Sequence, residues 1–159
     1  MKKFLKILII IIAASILLRP PVNGGTITSW YGPRFAFDRV FHTGTDIALP
    51  TGTPINSISW GTVKATGFDE REGLFVTVNH LPGFYSRYLH LDSIKINNGD
   101  KVNGKTIIGN AGNTGISTGS HLHFEIRLFG IPLPPYLILI PGRLFQWAGG
   151  YKYLDMLFK

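Results

Sequence analysis

The sequence predicts a mainly β domain, and three observations carry that expectation. Nineteen glycines and ten prolines in 159 residues are spread rather than clustered, which implies many turns and therefore short strands. No long stretch after residue 20 has helical periodicity. Residues 117–129, STGSHLHFEIRLF, place Leu122, Phe124, Ile126 and Leu128 on one parity and His121, His123, Glu125 and Arg127 on the other. Such alternation marks a half-buried strand with its apolar set facing a core. Hydrophobic residues make up 45% of the chain, so disorder is not the default, and the length suits one domain.

The first element is a leader. Lys2, Lys3 and Lys6 precede residues 7–18, which are apolar apart from Ser15, and Arg19-Pro20-Pro21 ends the run. A charged start before a short apolar run is the pattern of an export signal, and the run is shorter than the ~20 residues that span a bilayer as a straight helix. Residues 1–20 are therefore expected to be a hydrophobic leader helix, either a signal peptide or a signal-anchor. Ala13 and Ser15 offer a weak cleavage site, so both forms stay open. The remainder is expected to be exported, with the lysines left inside and contact with membrane only through this segment.

From Gly24 the text breaks into short segments: TITSWYG, PRFAFDRVFHTGTDIALPTGTPI, NSISWGTVKATGF, GLFVTVNH, FYSRYLHLDSI and KINNGDKVNGKTIIGNAGNTG. Residues 74–78 and 87–91 read as strands on their β-branched and aromatic content. Asn98-Gly99-Asp100 and Asn103-Gly104 are tight-turn signals. Several short strands at close spacing suggest a barrel or sandwich-like sheet system. Residues 22–140 form the expected domain. Residues 141–159 differ: Phe145, Trp147, Tyr151, Tyr153, Leu154, Leu157 and Phe158 lie among basic residues, and this tail is expected to dock on the domain.

Composition excludes several chemistries. There is no cysteine, hence no disulfide framework, no cysteine zinc site and no thiol nucleophile. The formal net charge is +7, part of it from the three leader lysines, and the remaining basic excess suits an anionic surface such as a cell envelope. Without a basic cluster, helix-turn-helix pattern or zinc finger, nucleic acid is not an expected partner.

The five histidines carry the chemistry. His121 and His123, at positions i and i+2 of a strand, point the same way from backbones about 6.6 Å apart. His42 opens HTGTD, which ends at Asp46. In an extended strand those two would stand about 13 Å apart, and Gly44 and Pro50 disfavour a helix. A bend at residues 43–45 remains, and glycine tolerates one. Imidazoles and a carboxylate are ligands that zinc accepts, and three protein ligands with an open fourth position define a catalytic site. Parity alone leaves open which of His121 and His123 would bind metal. His90, in RYLHLDS, falls on the parity opposite Leu89 and Leu91. No helical His-Glu-x-x-His motif supplies a glutamate base, and a histidine is the natural substitute.

HTGTDIALPTGTPI, RYLHLDSI, NNGDKVNGKTIIGNAGNTGISTGSHLHFEIR and ITSWYGPRF together resemble the lysostaphin/LytM-type zinc endopeptidases over roughly residues 26–127. The resemblance implies a small, mainly antiparallel β fold of the duplicated hybrid motif type, with a sheet flooring a substrate groove. It implies one zinc ion per chain held by His42, Asp46 and His123, and a catalytic pair, His90 and His121, outside the ligand set. The implied reaction is cleavage of peptide bonds in peptidoglycan cross-bridges or stem peptides, by a monomer in the periplasm, the cell envelope or outside the cell. The alternative is a non-catalytic wall-binding or regulatory module of the same fold. Arg34, in a glycine-x-arginine signature, and His80 are candidate substrate-binding residues, with structural or groove-lining use of His80 above ligation. Ala36 stands where some relatives have a tyrosine, Ser120 where proline is common, and DEREGLF where relatives are glycine-rich, a change expected to alter one groove wall.

Overall fold

The computed structural model describes residues 18–36 and 39–138. All but the end of the expected leader, and the whole of the tail at 141–159, lie outside them. Twelve strands are formed among the described residues: β1 (Thr26–Ser29), β2 (Gly32–Ala36), β3 (Arg39–His42), β4 (Thr45–Ala48), β5 (Pro54–Asn56), β6 (Gly61–Asp69), β7 (Gly73–Leu81), β8 (Phe84–Ile94), β9 (Lys101–Val102), β10 (Ile107–Ala111), β11 (His121–Leu128) and β12 (Ile131–Leu133). One helical turn, Pro135–Ile138, follows. The fold is mainly β, as the composition and the alternation predict, and antiparallel, as the resemblance implies.

The main sheet runs β1-β4-β11-β8-β7-β6-β9, with β10 bridging β5 and β8, β12 beside β11, and a separate β2–β3 ribbon. Every pairing is antiparallel. The strands expected at 74–78 and 87–91 are the middles of β7 and β8, joined at Pro82-Gly83, where Gly83 takes φ 78°. Proline pre-sets the first turn residue and glycine supplies the positive φ of the second.

β11 is central, between β4 and β8. Leu122, Phe124 and Ile126 are fully buried in a core with Ile47, Val76, Val78, Tyr88, Leu91 and Ile108. The polar parity is less open than alternation suggests, because His123 and Glu125 are also buried. Neighbouring polar side chains cover them: Thr43 donates to Glu125 Oε1, and Arg87 lies 3.4 Å from Glu125 Oε2. The alternation therefore separates an apolar face from a buried polar one, not core from solvent.

Two loops close one end of this sheet. The β6–β7 turn is bound to the β10–β11 loop through the Ile116 N–H to the Arg71 carbonyl at 3.0 Å, and the Leu74 N–H donates to Thr114 Oγ1 at 3.0 Å. Gly73 makes the contact possible. It adopts φ +66°, and a Cβ there would fall 2.5 Å from the Thr114 carbonyl group. Gly73→Ala is expected to destabilise the fold by about 1–3 kcal/mol. Urea denaturation should show this as a lowered midpoint at unchanged slope, and an unaltered midpoint would mean that the two loops can separate freely.

Candidate metal centre and cleft

The antiparallel register of β4 and β11 sets Asp46 directly opposite His123. His42 ends β3, and residues 43–44 turn the chain into β4, so the sharp change of direction expected between His42 and Asp46 is present. Gly44 serves it by being small rather than by unusual φ. A Cβ there would sit 2.7 Å from His123 Nε2 and 2.5 Å from the Phe124 carbonyl oxygen.

Three ligand atoms converge. His42 Nε2 lies 3.1 Å from Asp46 Oδ1 and 3.0 Å from His123 Nδ1, and His123 Nδ1 lies 2.7 Å from Asp46 Oδ1. Bonds of 2.0–2.1 Å to a tetrahedral zinc would set ligand atoms about 3.3 Å apart, so the triangle is close to the size that zinc needs. Imidazole, imidazole and carboxylate suit that ion. Each ring is aimed by its other nitrogen. His42 Nδ1–H donates to the Trp30 carbonyl at 2.8 Å, and His123 Nε2–H faces Glu125 Oε1 at 3.3 Å. Burial works against the charge on Asp46, but hydrogen bonds from His123 and His42 overcome it and hold the carboxyl well below the usual range. Among the described residues these three form the one grouping with metal-ligand geometry.

His90 and His121 stand beside the triangle, their ring centroids 4.7 Å apart. His90 Nδ1–H donates to the Thr114 carbonyl and His121 Nδ1–H to the Gly119 carbonyl, each at 2.8 Å. This leaves each Nε2 available as an acceptor, and that of His121 is 3.8 Å from Asp46 Oδ1. His90 reaches the cleft through a bulge. Leu74 pairs with Leu91 while Val76 pairs with Tyr88, so β8 carries one extra residue here, and His90 takes φ 61°. Bulges re-aim side chains in this way, and a non-glycine residue at positive φ is uncommon outside turns and functional sites. Burial pushes the His90 imidazole down to about 4, against the bond to Thr114.

The cleft measures about 170 Å³ and is lined by all five of these residues together with Arg34 and Arg71. That is a volume on the scale that admits a benzene ring. Arg34 Nη1 lies 3.4 Å from Asp46 Oδ2 and donates to Ser29 Oγ at 3.2 Å. His80 does not line the cleft. It donates from Nδ1 to the Trp60 carbonyl at 2.7 Å, and its Nε2 accepts from Ser86 Oγ at 2.8 Å, so it joins β7 to the start of β6. Burial lowers its pKa.

Two lining or supporting residues lack motif signals. Arg71, in the DEREGLF stretch, forms part of the wall. Glu125 supports the ligands from behind: Oε1 faces both Thr43 on the bend and His123, while Oε2 accepts from Arg127 Nε at 2.8 Å. Burial opposes its ionisation, yet the bonds from His123 and Arg127 hold it well below the usual carboxylate range. Its shared parity with His121 and His123 is the signal that could have revealed it.

Residues 40–135 match peptidase family M23, and the chain belongs to that family. It is 40% identical over 100 residues to the peptidoglycan DD-endopeptidase ShyA of Vibrio cholerae, an alignment that covers 63% of this chain and 23% of ShyA. The fold is similar to a zinc-containing peptidase from Vibrio cholerae (TM-score 0.71, 32% identity, 79% of this chain and 40% of that one). It is also similar to the catalytic domain of the antimicrobial peptidase lysostaphin from Staphylococcus simulans (TM-score 0.67, 29% identity, 72% and 92%). The matches span 23–30% of the length of curated relatives such as ShyA and ShyC.

Carboxylates behind ligating histidines typically contribute 10–100-fold in metal affinity. Glu125→Gln keeps the side-chain shape but turns an amide NH₂ or a weaker acceptor towards His123, Thr43 and Arg127. Zinc affinity, measured by competition with a chromophoric chelator, is expected to fall by about that factor with an unchanged far-UV spectrum. Equal affinity would remove Glu125 from the support of the centre.

Proposed function

We propose that this member of peptidase family M23 is an exported, zinc-dependent endopeptidase that cleaves peptide bonds in the cross-bridges or stem peptides of bacterial peptidoglycan. The observation that carries the reading is the convergence of two unlike sets on one cleft: three ligand atoms within 4.8 Å of one another, and two further imidazoles whose Nδ1–H groups are committed to backbone carbonyls. A wall-binding module has no use for the second set. The substrate class rests on similarity to relatives named as peptidoglycan DD-endopeptidases, and export rests on the lysines and apolar run of residues 2–18.

His42, Asp46 and His123 would hold the ion. When bound there, zinc supplies Lewis acidity to the scissile carbonyl and lowers the pKa of water towards neutrality. The chain's own residues do the rest. His90, kept neutral by burial, takes a proton from the attacking water at Nε2 and hands it to the departing amine. His121, across the ring contact, would donate to the oxygen on which charge develops once its Nε2 carries a proton as well. Arg34 keeps the Asp46 carboxylate turned towards the ligand triangle and adds positive potential to the cleft, which favours an anionic peptide.

Zymography on whole sacculi tests this directly. Lysis should disappear with a chelator and return with zinc. His42→Ala or Asp46→Ala should lose both metal and activity. His90→Ala should keep most metal and lose about 10²–10⁴-fold in rate, the usual contribution of a positioned base. Normal hydrolysis by His90→Ala would remove it from the chemistry, and purified, folded protein that takes up no metal would end the reading altogether.

A further inference from the structure

The sheet has two unlike ends. One carries the cleft. At the other, the tips of three segments meet: Trp60 leads into β6, residues 81–84 turn β7 into β8, and residues 128–131 turn β11 into β12. Phe84 pairs with Leu81 on one side and with Leu128 on the other, and Leu128 also pairs with Ile131. The Phe129 N–H donates to the Gly83 carbonyl, and the Trp60 carbonyl accepts from His80, the residue before Leu81. These contacts make the tips one surface. It is apolar and open: Trp60 is 74% exposed, Leu81 57%, Phe129 77% and Ile131 65%. Phe129 projects from φ 49°, an outlier conformation for a bulky residue. Leu128 is five residues beyond His123 and Phe84 five before Leu89, so this rim lies about 17 Å from the ligand triangle.

Charge divides the same way. Residues 58–64, 79–86 and 127–133 contain Lys64 and Arg127 and no Asp or Glu, the acid that answers Arg127 being the buried Glu125, whereas the turn at the far end of β6 carries Asp69, Glu70 and Glu72. Asp100 touches β6 through its backbone carbonyl, which accepts from the Val63 N–H. Its carboxylate turns away to the Asn97 N–H. The N-terminal segment also joins the body here. The Arg19 N–H donates to the Ile58 carbonyl at 2.8 Å, two residues before Trp60, so the residue that ends the lysine-flanked apolar run read from the sequence is bound to the body beside the rim.

From these three observations we propose that the Trp60–Leu81–Phe129–Ile131 rim rests in the headgroup boundary of an anionic phospholipid bilayer and points the cleft away from it. Exposed aromatic and branched residues beside Lys64, with no exposed acid among these tips, suit that boundary. A short apolar segment gives stable attachment only with a second signal, and the rim is a second signal at the same place. Bilayer contact at this end leaves the opposite end facing outward to a polymer. The claim concerns a surface remote from the cleft, so its failure leaves the endopeptidase reading standing.

The chain has no cysteine, so single labels can be placed on the full-length protein. Leu81→Cys, Ile131→Cys and, in the loop at the cleft end, Asn113→Cys are each labelled with an environment-sensitive fluorophore, and thermal melts matching the parent confirm folding. On vesicles of phosphatidylethanolamine and phosphatidylglycerol, a lipid-borne nitroxide should quench the labels at 81 and 131 several-fold more than the label at 113. Aqueous acrylamide should show the reverse order. Acrylamide reaching all three alike would overturn the proposal. So would equal shielding of 81 and 131 without vesicles, which would mean that residues 139–159 or a second copy cover the rim.

Discussion

One register carries the chemistry of this fold. Because β4 and β11 pair with Asp46 opposite His123, a carboxylate oxygen and an imidazole nitrogen meet across a single ladder rung, and the bend before β4 returns His42 to the same point. A slip of one residue would send every side chain of β11 to the other face, moving His123 and Glu125 from their polar partners into the apolar core and Leu122, Phe124 and Ile126 onto the polar face. The large desolvation cost of that alternative locks the register. The candidate metal centre is thus positioned by the same hydrophobic burial that makes the sheet, and it needs no separate device to hold its spacing.

Buried charge has to be answered nearby, and the polar face of β11 shows how. Glu125 is 2% exposed and would be costly alone. Arg127 and Arg87 lie on one of its oxygens, and Thr43 and His123 on the other. Arg87 in turn pairs with Glu72 on the β6–β7 turn, beside the loop contact made by Arg71 and Ile116. A chain of charge-assisted bonds therefore runs from the cleft wall, through Glu125, to a ligand ring. Buried ion pairs are weak arguments for stability but good devices for specifying one arrangement. Here the arrangement specified is the orientation of His123 relative to the wall.

Much of this was legible in the sequence, for reasons that differ by residue. The β11 pattern and the turn signals at 98–100 and 103–104 are local, and local rules read them well. The change of direction between His42 and Asp46 followed from elimination, since a strand would hold those residues apart and Gly44 and Pro50 disfavour the helix that would bring them together. What elimination could not supply was the cause at Gly44, a close approach to His123 from a strand 80 residues away. The bulge that swings His90 into the cleft is a register difference between β7 and β8, and no composition rule encodes it. His80, expected in structural or groove-lining use, is carried by β7 to the far end of the sheet, where it bonds to Trp60 and Ser86. Glu125 carries no motif signal, because a lone acid on a polar face is usually solvated; here Thr43, Arg87, His123 and Arg127 close over it.

The supporting bonds also decide how ion binding relates to folding. In small zinc-dependent domains the ligands gather only when metal arrives, so binding energy is spent as folding energy. Here the Trp30, Thr114 and Gly119 carbonyls and the Glu125 carboxylate already hold four of the five histidines by their far nitrogens, and a core of fully buried aliphatic and aromatic side chains surrounds the strands that carry them. The three inward-facing ligand atoms are the ones left crowded. Two nitrogen lone pairs and a carboxylate within about 3 Å repel unless a proton or a cation lies among them. Metal uptake at such a centre would release protons within a frame already built, which would make affinity depend on pH.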